Sequence, residues 1–473
     1  MDIIHNILNE KYIIRNYLLR IVKRGVIMKI NKRIILPKRR EIMNVKRIEV
    51  QGFKNIEKID FKFNVINALV SLNNYGKSNV LDAIDFGIEF IKSDISVKSD
   101  MMEFLPVIPV NKNMSNATYT FLIVAEISVN DVDYLVEYSY CFEWESDESE
   151  DSTKKILNEK LRFKKNSKGQ KYNTYFSRTK RKATYQSSKT GRNDKKILID
   201  DNSLIINKLL AYDDLFYLDI VKAINNIKFY INRSFDATNS FEVNPLQRKE
   251  KSVLDISNAE NIPRVIYTIK KKYPDRYELI KNTFIDLFPN IEDIAVEEIL
   301  KGNEIIGDIP ESAPFKISNE IYLIFVKDKN TETALQFTNL STGAKRIFLF
   351  LTYIVLAGIN NVQIIAIEEL ENSIHPGLFY RFINILSQLA SDNLKIILSS
   401  HSPYIIQYME LDNIFVGIPN SNGLAKFSKI KKLAKGKITK LSDMYGMSTG
   451  DYIFEQMNGS IDDIEELNSF LEE

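Results

Sequence analysis

Residues 364–376 read IIAIEELENSIHP and residues 396–403 read IILSSHSP. The first starts as an apolar strand and ends in two carboxylates, Glu368 and Glu369; the second is another apolar strand, ending at His401. Glu368 is placed to join the shell of a Mg2+ ion, and Glu369 to polarise a water for in-line attack on a γ-phosphate. An imidazole at His401 would sense or stabilise that phosphate. Each group also has a plainer reading, as solvated acids at a strand end and a histidine satisfied within the core.

Upstream, Leu340–Arg346 reads LSTGAKR directly before the apolar run 347–359, IFLFLTYIVLAGI. A Ser-x-Gly turn at a helix start presents N–H donors and a positive dipole end to an anion, although a simple helix cap has the same composition. Nearer the start of the chain, Ser71–Ser78 reads SLNNYGKS, against the phosphate-loop pattern GxxxxGK[ST]. That chemistry needs backbone N–H groups around phosphate oxygens, a lysine on the outer phosphates and a hydroxyl on Mg2+. Lys77 and Ser78 supply the last two, while Ser71 stands where the pattern has its first glycine. A GKS triplet alone is as readily a surface turn. Its place after an apolar strand and before the helical stretch NVLDAIDFGIEFI (79–91) favours nucleotide binding. Two of the chain's three histidines, His375 and His401, fall inside this ordered set of segments.

Together GFKNI (Gly52–Ile56), NNYGKSN, LSTGAKR, IAIEELENSIHP and SSHSP resemble the ABC-type ATPase heads of the SMC class and their DNA-repair relatives. Within that class the chain is most similar to the OLD-like AAA ATPases of bacterial anti-phage systems, such as the ATPase subunits of Septu and PARIS. The likeness covers residues 43–92 and 335–404 well, and Asp443–Gly459 (DMYGMSTGDYIFEQMNG) more loosely. It implies an α/β fold: an ABC-type P-loop ATPase head with a parallel-sheet core and an antiparallel β lobe, carrying a large α+β insertion. Two heads would sandwich two ATP molecules. The likeness gives Asn73, Asn74, Gly76, Lys77, Ser78 and Asn79 the triphosphate and Mg2+, with Glu368 completing the metal shell. Ser341 and Gly343, with Lys345 or Arg346 nearby, would reach the γ-phosphate held by the opposite subunit. Glu369 would be the catalytic carboxylate and His401 the switch histidine, and His375 would lie in a loop facing the partner head. Glu368 departs from the usual aspartate by one methylene, and no glutamine between Lys92 and Tyr138 serves as a Q-loop. Nucleotide binding is expected to survive these departures, with slow turnover, or ATP used mainly as a clamp, as their consequence.

Composition sets the outer bounds. The 473 residues, 44% hydrophobic and 11% aromatic, exclude global disorder and suit two or three domains. A single cysteine, Cys141, excludes an internal disulfide and a multi-cysteine zinc site, and fits a reducing, cytoplasmic setting. The longest apolar run has 13 residues, short of the ~20 that span a bilayer as a helix, so no transmembrane segment is expected. The net charge of +2 conceals two basic elements: residues 1–42 hold 11 Lys and Arg against 3 Asp and Glu, and residues 154–196 hold 16 against 2. The second also contains Tyr172, Tyr175, Phe176 and Tyr185, a mixture that binds DNA or RNA through phosphate charge and base stacking. Its other reading is a solvated hairpin that pairs with the acidic stretch 143–151 or an acidic partner.

The expected organisation is a basic N-terminal extension (1–42), the first half of the head (43–115) and an insertion with a β hairpin, the basic stretch and helices (116–290). The second half of the head (291–440) and a C-terminal tail (441–473) complete it. Only 72 residues follow His401, without an Asp-x-Asp triplet, and the whole chain lacks Glu-x-Lys. A nuclease effector, of Toprim or HNH type, is therefore expected on a separate polypeptide. The expected function is that of an ATP-hydrolysing sensor and scaffold in anti-phage defence, a homodimer or higher homo-oligomer triggered by a phage protein. The alternatives are an SMC-like DNA repair or maintenance ATPase, disfavoured by the lack of long heptad arms, and a nucleotide-gated scaffold with little turnover.

Overall fold

Alternation of apolar and polar residues builds one half of the structure, and unbroken apolar runs build the other. The computed structural model describes residues 41–472 apart from 110, 112–113, 115–117, 145–154, 180–181, 191–194, 234, 236, 250–251, 259–260, 301–309, 311, 390–392 and 419–421. The reading of residues 1–40, and most of the acidic stretch 143–151, lies outside the described residues.

The described chain opens with the antiparallel pair β1 (Glu41–Phe53) and β2 (Ile56–Lys62), enters β3 (Ile66–Val70) and turns into helix α1 (Lys77–Lys92). After α2 (Ile95–Met102) come β4 (Thr118–Val129) and β5 (Val132–Glu143), the predicted hairpin, followed by β6 (Ile156–Lys165), β7 (Asn173–Thr179), β8 (Lys182–Tyr185) and β9 (Lys195–Lys196). The β4–β5 turn places Asn130 and Asp131 at φ 49° and 62°, the left-handed pair that matches strand twist in a two-residue hairpin. These strands extend the sheet begun by β1 and β2, in the order β2-β1-β4-β5-β6-β7-β8-β9. Strands on both sides of the expected 115/116 boundary thus share one sheet. Along β4 every second side chain, Tyr119, Phe121, Ile123, Ala125 and Ile127, is fully buried. Tyr119 and Tyr140 also donate hydroxyl hydrogen bonds to the carbonyls of Ala83 (2.9 Å) and Gly87 (2.8 Å), fastening the lobe to α1.

Short helices α3 (Ile205–Leu209) and α4 (Leu218–Asn225) lead to β10 (Phe229–Asn232), a strand inside a stretch that sequence spacing reads as helical. Then follow β11 (Leu246–Arg248), α5 (Ile262–Lys272), α6 (Pro274–Leu287), β12 (Ile291–Leu300), β13 (Phe315–Ile317), β14 (Glu320–Asp328), β15 (Leu335–Gln336) and α7 (Thr342–Asn360). The remainder is β16 (Ile364–Glu368), α8 (Pro376–Leu389), β17 (Lys395–Ser400), α9 (Pro403–Tyr408), β18 (Ile414–Ile418), β19 (Lys426–Lys429) and helices α10 (Lys435–Met444), α11 (Thr449–Asn458) and α12 (Ile461–Ser469).

The second sheet has the order β10-β16-β17-β3-β18-β19 and is parallel except for β19. Both of its faces are covered, which is why its strands read as unbroken apolar runs. Ile365 and Ile367 pack into the core with α7, while Ile364 and Ala366 pack into the core shared with α1 and the lobe. Helix α7 is apolar around its whole circumference. It has 19 residues, long enough to cross a membrane, but 78% of its apolar window is buried in this core, as befits a central helix. The fold is α/β, with a parallel core sheet and an antiparallel lobe.

One buried acid makes stability depend on pH. Glu159, fully enclosed in the lobe, accepts hydrogen bonds from the backbone N–H groups of Ile205 (2.5 Å) and Ile206 (3.0 Å) and from Tyr138 (3.0 Å). Burial outweighs these bonds and pushes its pKa up to about 7. A raised carboxyl pKa contributes stability that is present below the unfolded value of about 4.3 and lost as pH rises through the folded one. The melting temperature should therefore decline between pH 5 and 7, and Glu159→Gln should flatten that decline.

Candidate active site

The C-terminal ends of the parallel strands bring the sequence motifs to one edge of the sheet. β3 runs into the loop 71–76, where Asn74 takes φ 60° and Gly76, the N-cap of α1, takes φ 103°. That second value favours glycine, and a Cβ there would also lie 2.9 Å from Ala425 Cβ. The Lys77 ammonium folds back over the loop and donates to the carbonyls of Ser71 (2.9 Å) and Leu72 (3.0 Å). Ser71 is fully buried, its hydroxyl bonded to Leu72 O. Asn73 and Asn74 are exposed on the loop and Ser78 on the first turn of α1, whereas Asn79 is turned to Asn55 Oδ1 at 2.8 Å.

β16 delivers Glu368 and Glu369 beside this loop. Burial pushes the Lys77 pKa below the ordinary lysine value, and Glu369, Glu368 and Glu371, in that order, pull it back up. The three carboxylates therefore share the electrostatic field of the phosphate-loop lysine. Glu368 Oε1 is buried and, among the described residues, has no hydrogen-bond partner. An orphaned carboxylate oxygen at a strand end is a good acceptor for a hard cation, so the site fits Mg2+ despite the longer side chain. Glu369 follows the strand with φ 52°. Its N–H donates to Ser399 O (2.8 Å), its Oε2 accepts from Asn372 Nδ2 (2.8 Å), and its Oε1 lies 3.2 Å from His401 Nδ1. The latter pair is a close contact without the alignment of a hydrogen bond. Glu369 and His401 thus meet at the ends of neighbouring strands.

Ser341 caps α7, accepting from Ala344 N at 3.3 Å. Gly343 lies against the loop after β16, where a Cβ would come 2.4 Å from Ser373 O. Backbone cannot yield there as a side-chain tip can. Gly343→Ala should therefore destabilise by about 1–3 kcal/mol, read as a lower midpoint in urea unfolding. His375 is exposed and accepts from Gly377 N (3.2 Å), a local bond that sets the turn into α8.

Both basic residues after the signature turn are engaged within this chain. Lys345, expected near that turn, is buried, and its ammonium donates to Thr338 O at 3.2 Å. Arg346 is directed within its own chain, to the carbonyls of Phe235 (3.1 Å) and Glu369 (2.5 Å). The strand flanking β16 is β10, whose last residue, Asn232, is buried opposite Ile367, and the next, Arg233, pairs with Asp82 on α1. Nothing in a four-residue strand amid helical spacing signals that position. Sequence reasoning also missed Glu371, mostly buried and accepting a hydrogen bond from the Ser400 hydroxyl, with its pKa raised by burial. It likewise missed the turn between β1 and β2, where Asn55 meets Asn79 and Lys54 bonds Asp82 at 2.7 Å. The motif GFKNI was the available signal for that turn.

The basic stretch is not a separate hairpin but the outer strands of the lobe. Its aromatics are used internally: Phe176 is buried, Tyr175 stacks on Phe163 at 3.5 Å, Tyr185 meets Tyr212, and Tyr172 is covered by Arg162 and Lys164. Arg178 is buried against the carbonyls of Asp201 and Ser203, and Arg162 pairs with Glu137. The stacking half of the nucleic-acid reading is therefore not met, while Lys160, Lys165, Lys168, Lys171 and Lys182 remain exposed.

A family model described as an AAA ATPase domain matches residues 43–406. Among solved structures, an Smc head bound to the C-winged helix domain of ScpA aligns at 14% identity and TM-score 0.43, covering 83% of this chain and 99% of that one. The SMC head domain from Thermotoga maritima aligns at 12% identity and TM-score 0.38, covering 82% and 99%. An Smc head with an extended coiled coil, bound to the C-terminal domain of ScpA derived from Pyrococcus furiosus, aligns at 13% identity and TM-score 0.41, covering 85% and 100%. The comparison with curated proteins returns no match.

Proposed function

The chain belongs to the AAA ATPase domain family, and from that premise we propose that it hydrolyses ATP as the sensor and scaffold of an anti-phage system. The observation that carries the hydrolytic part is the meeting of Glu369 with His401, at 3.2 Å, within the field of Lys77. Bound Mg2+ would supply charge neutralisation at the phosphate oxygens, held by Ser78 and Glu368. The N–H groups of the loop and Lys77 bind the triphosphate. Glu369 orients the attacking water and takes its proton, and His401 faces the transferred phosphoryl group. ATP and water give ADP and phosphate.

The defence role rests on the motif resemblance, and with it the rest of the proposal. Two chains pair so that Ser341 and Gly343 of one complete the site of the other, and a nuclease of Toprim or HNH type acts in trans. The setting is cytoplasmic, with a phage protein as trigger. Any DNA or RNA is met by the exposed lysines of the lobe through phosphate charge. The test is turnover and particle mass with and without Mg-ATP, together with co-purification from a host that carries the neighbouring genes. Turnover, nucleotide-dependent pairing and a co-purified nuclease are expected; a monomer without turnover that is toxic alone would overturn the proposal.

A further inference from the structure

Arg346 leaves α7 one turn after its N-cap and bonds two carbonyls of its own chain, Phe235 O at 3.1 Å and Glu369 O at 2.5 Å. Its guanidinium also lies 5.1 Å from the centroid of the Phe235 ring, so its plane is fixed by a ring as well as by hydrogen bonds. Glu369 is held with φ 52°, a left-handed conformation that a glutamate keeps only when its surroundings impose it. The Glu369 N–H is already committed to Ser399 O at 2.8 Å. Relaxation toward an ordinary backbone conformation would swing the carbonyl away from Arg346 and redirect the side chain that now reaches His401.

We propose that Arg346 is a positioning residue acting in cis. By holding the Glu369 carbonyl, it keeps this residue left-handed and its carboxylate turned to His401. It also ties that geometry to the helix whose first turn carries Ser341 and Gly343. A shift of that turn when an anion engages it reaches the catalytic carboxylate through one side chain. Two carbonyls spaced for a planar fork suit arginine, whereas a lysine ammonium on a longer free stem serves one of them well. The inference rests on the ATPase reading of this site, but assigns Arg346 to its own chain's site rather than to the partner's.

Mixed protomers separate the two assignments. In paired heads, a Lys77→Ala chain has no working site of its own but lends an intact α7 turn to its partner. Mixed one to one with Ser341→Ala, it should restore turnover, because the only competent phosphate loop then receives an intact Ser341. Mixed with Arg346→Ala, it should restore nothing, since the competent loop sits in the chain that lacks Arg346. Arg346→Ala alone should lower kcat about 100-fold with little change in KM, as misplaced catalytic groups do. Arg346→Lys should fall between it and the unmodified chain, and serves if the alanine variant does not fold. A crystal structure of either variant should show Glu369 outside the left-handed region. Recovery in the Arg346→Ala mixture, or Glu369 unchanged in that crystal structure, would overturn the proposal. Failure of the Ser341→Ala mixture would count instead against paired heads, and the crystal structure would then decide the role of Arg346.

Discussion

Glu369→Gln is expected to lower kcat about 1,000-fold, within the range that loss of a general base costs, while leaving ATP-driven pairing intact. The substitution keeps the size and shape of the side chain. Its amide oxygen still accepts from Asn372 Nδ2, which holds the carboxylate at 2.8 Å, and the left-handed backbone is unaffected because it depends on main-chain bonds to Ser399 and Arg346. What is lost is the capacity to take a proton from water. A chain that binds ATP but cannot consume it should accumulate in the paired form, seen as a dimer by particle mass in Mg-ATP and as a monomer without nucleotide. Turnover at the unmodified rate would remove Glu369 from the role of base. Retained loss of turnover without pairing would separate hydrolysis from assembly and count against the paired-head arrangement.

The parts of the fold that sequence reveals are those set by burial. Ile364–Ile367 and Ile396–Leu398 are apolar without interruption because both faces of the central sheet are covered, and the chemistry-bearing residues follow at the strand ends where that cover stops. The hairpin of β4 and β5 is equally legible, since alternation marks its strands and Asn130-Asp131 its turn. β10 is not. Its four residues are too short for a period to register, and parallel pairing with β16 is decided by a strand 132 or more positions away in sequence. For the same reason the position opposite Ile367 taken by Asn232 was not legible in the sequence. Side-chain direction was the other limit. Composition placed Tyr172, Tyr175, Phe176 and Tyr185 among lysines as if to stack on bases, but the strand pleat turns Phe176 inward and neighbouring rings or cations occupy the rest. Lys345 and Arg346 are adjacent in sequence, yet a helix separates their directions by about 100°, so one enters the core and the other crosses to β16.

Lys77→Ala should have the complementary phenotype: loss of ATP binding and of pairing with itself, since neither copy then carries a nucleotide, with kcat/KM reduced about 1,000-fold, as expected when a positioned cation is removed from a phosphate site. In the folded chain the Lys77 ammonium is half-buried and bonded to Ser71 O and Leu72 O, and its charge is supported by Glu369, Glu368 and Glu371. Without it, an incoming triphosphate would face three carboxylates with no fixed countercharge in the loop. Bound Mg2+, which Ser78 and Glu368 would hold, would offset part of this charge. Burial disfavours the charged lysine, so its removal should leave thermal stability without nucleotide nearly unchanged. The combination distinguishes the two substitutions. Titration calorimetry should show no ATP heat for Lys77→Ala and a full binding isotherm for Glu369→Gln. Were Lys77→Ala to bind ATP and pair normally, the Ser71–Ser78 turn would be an ordinary surface loop, and Glu369 and His401 would have to be explained without a phosphate between them.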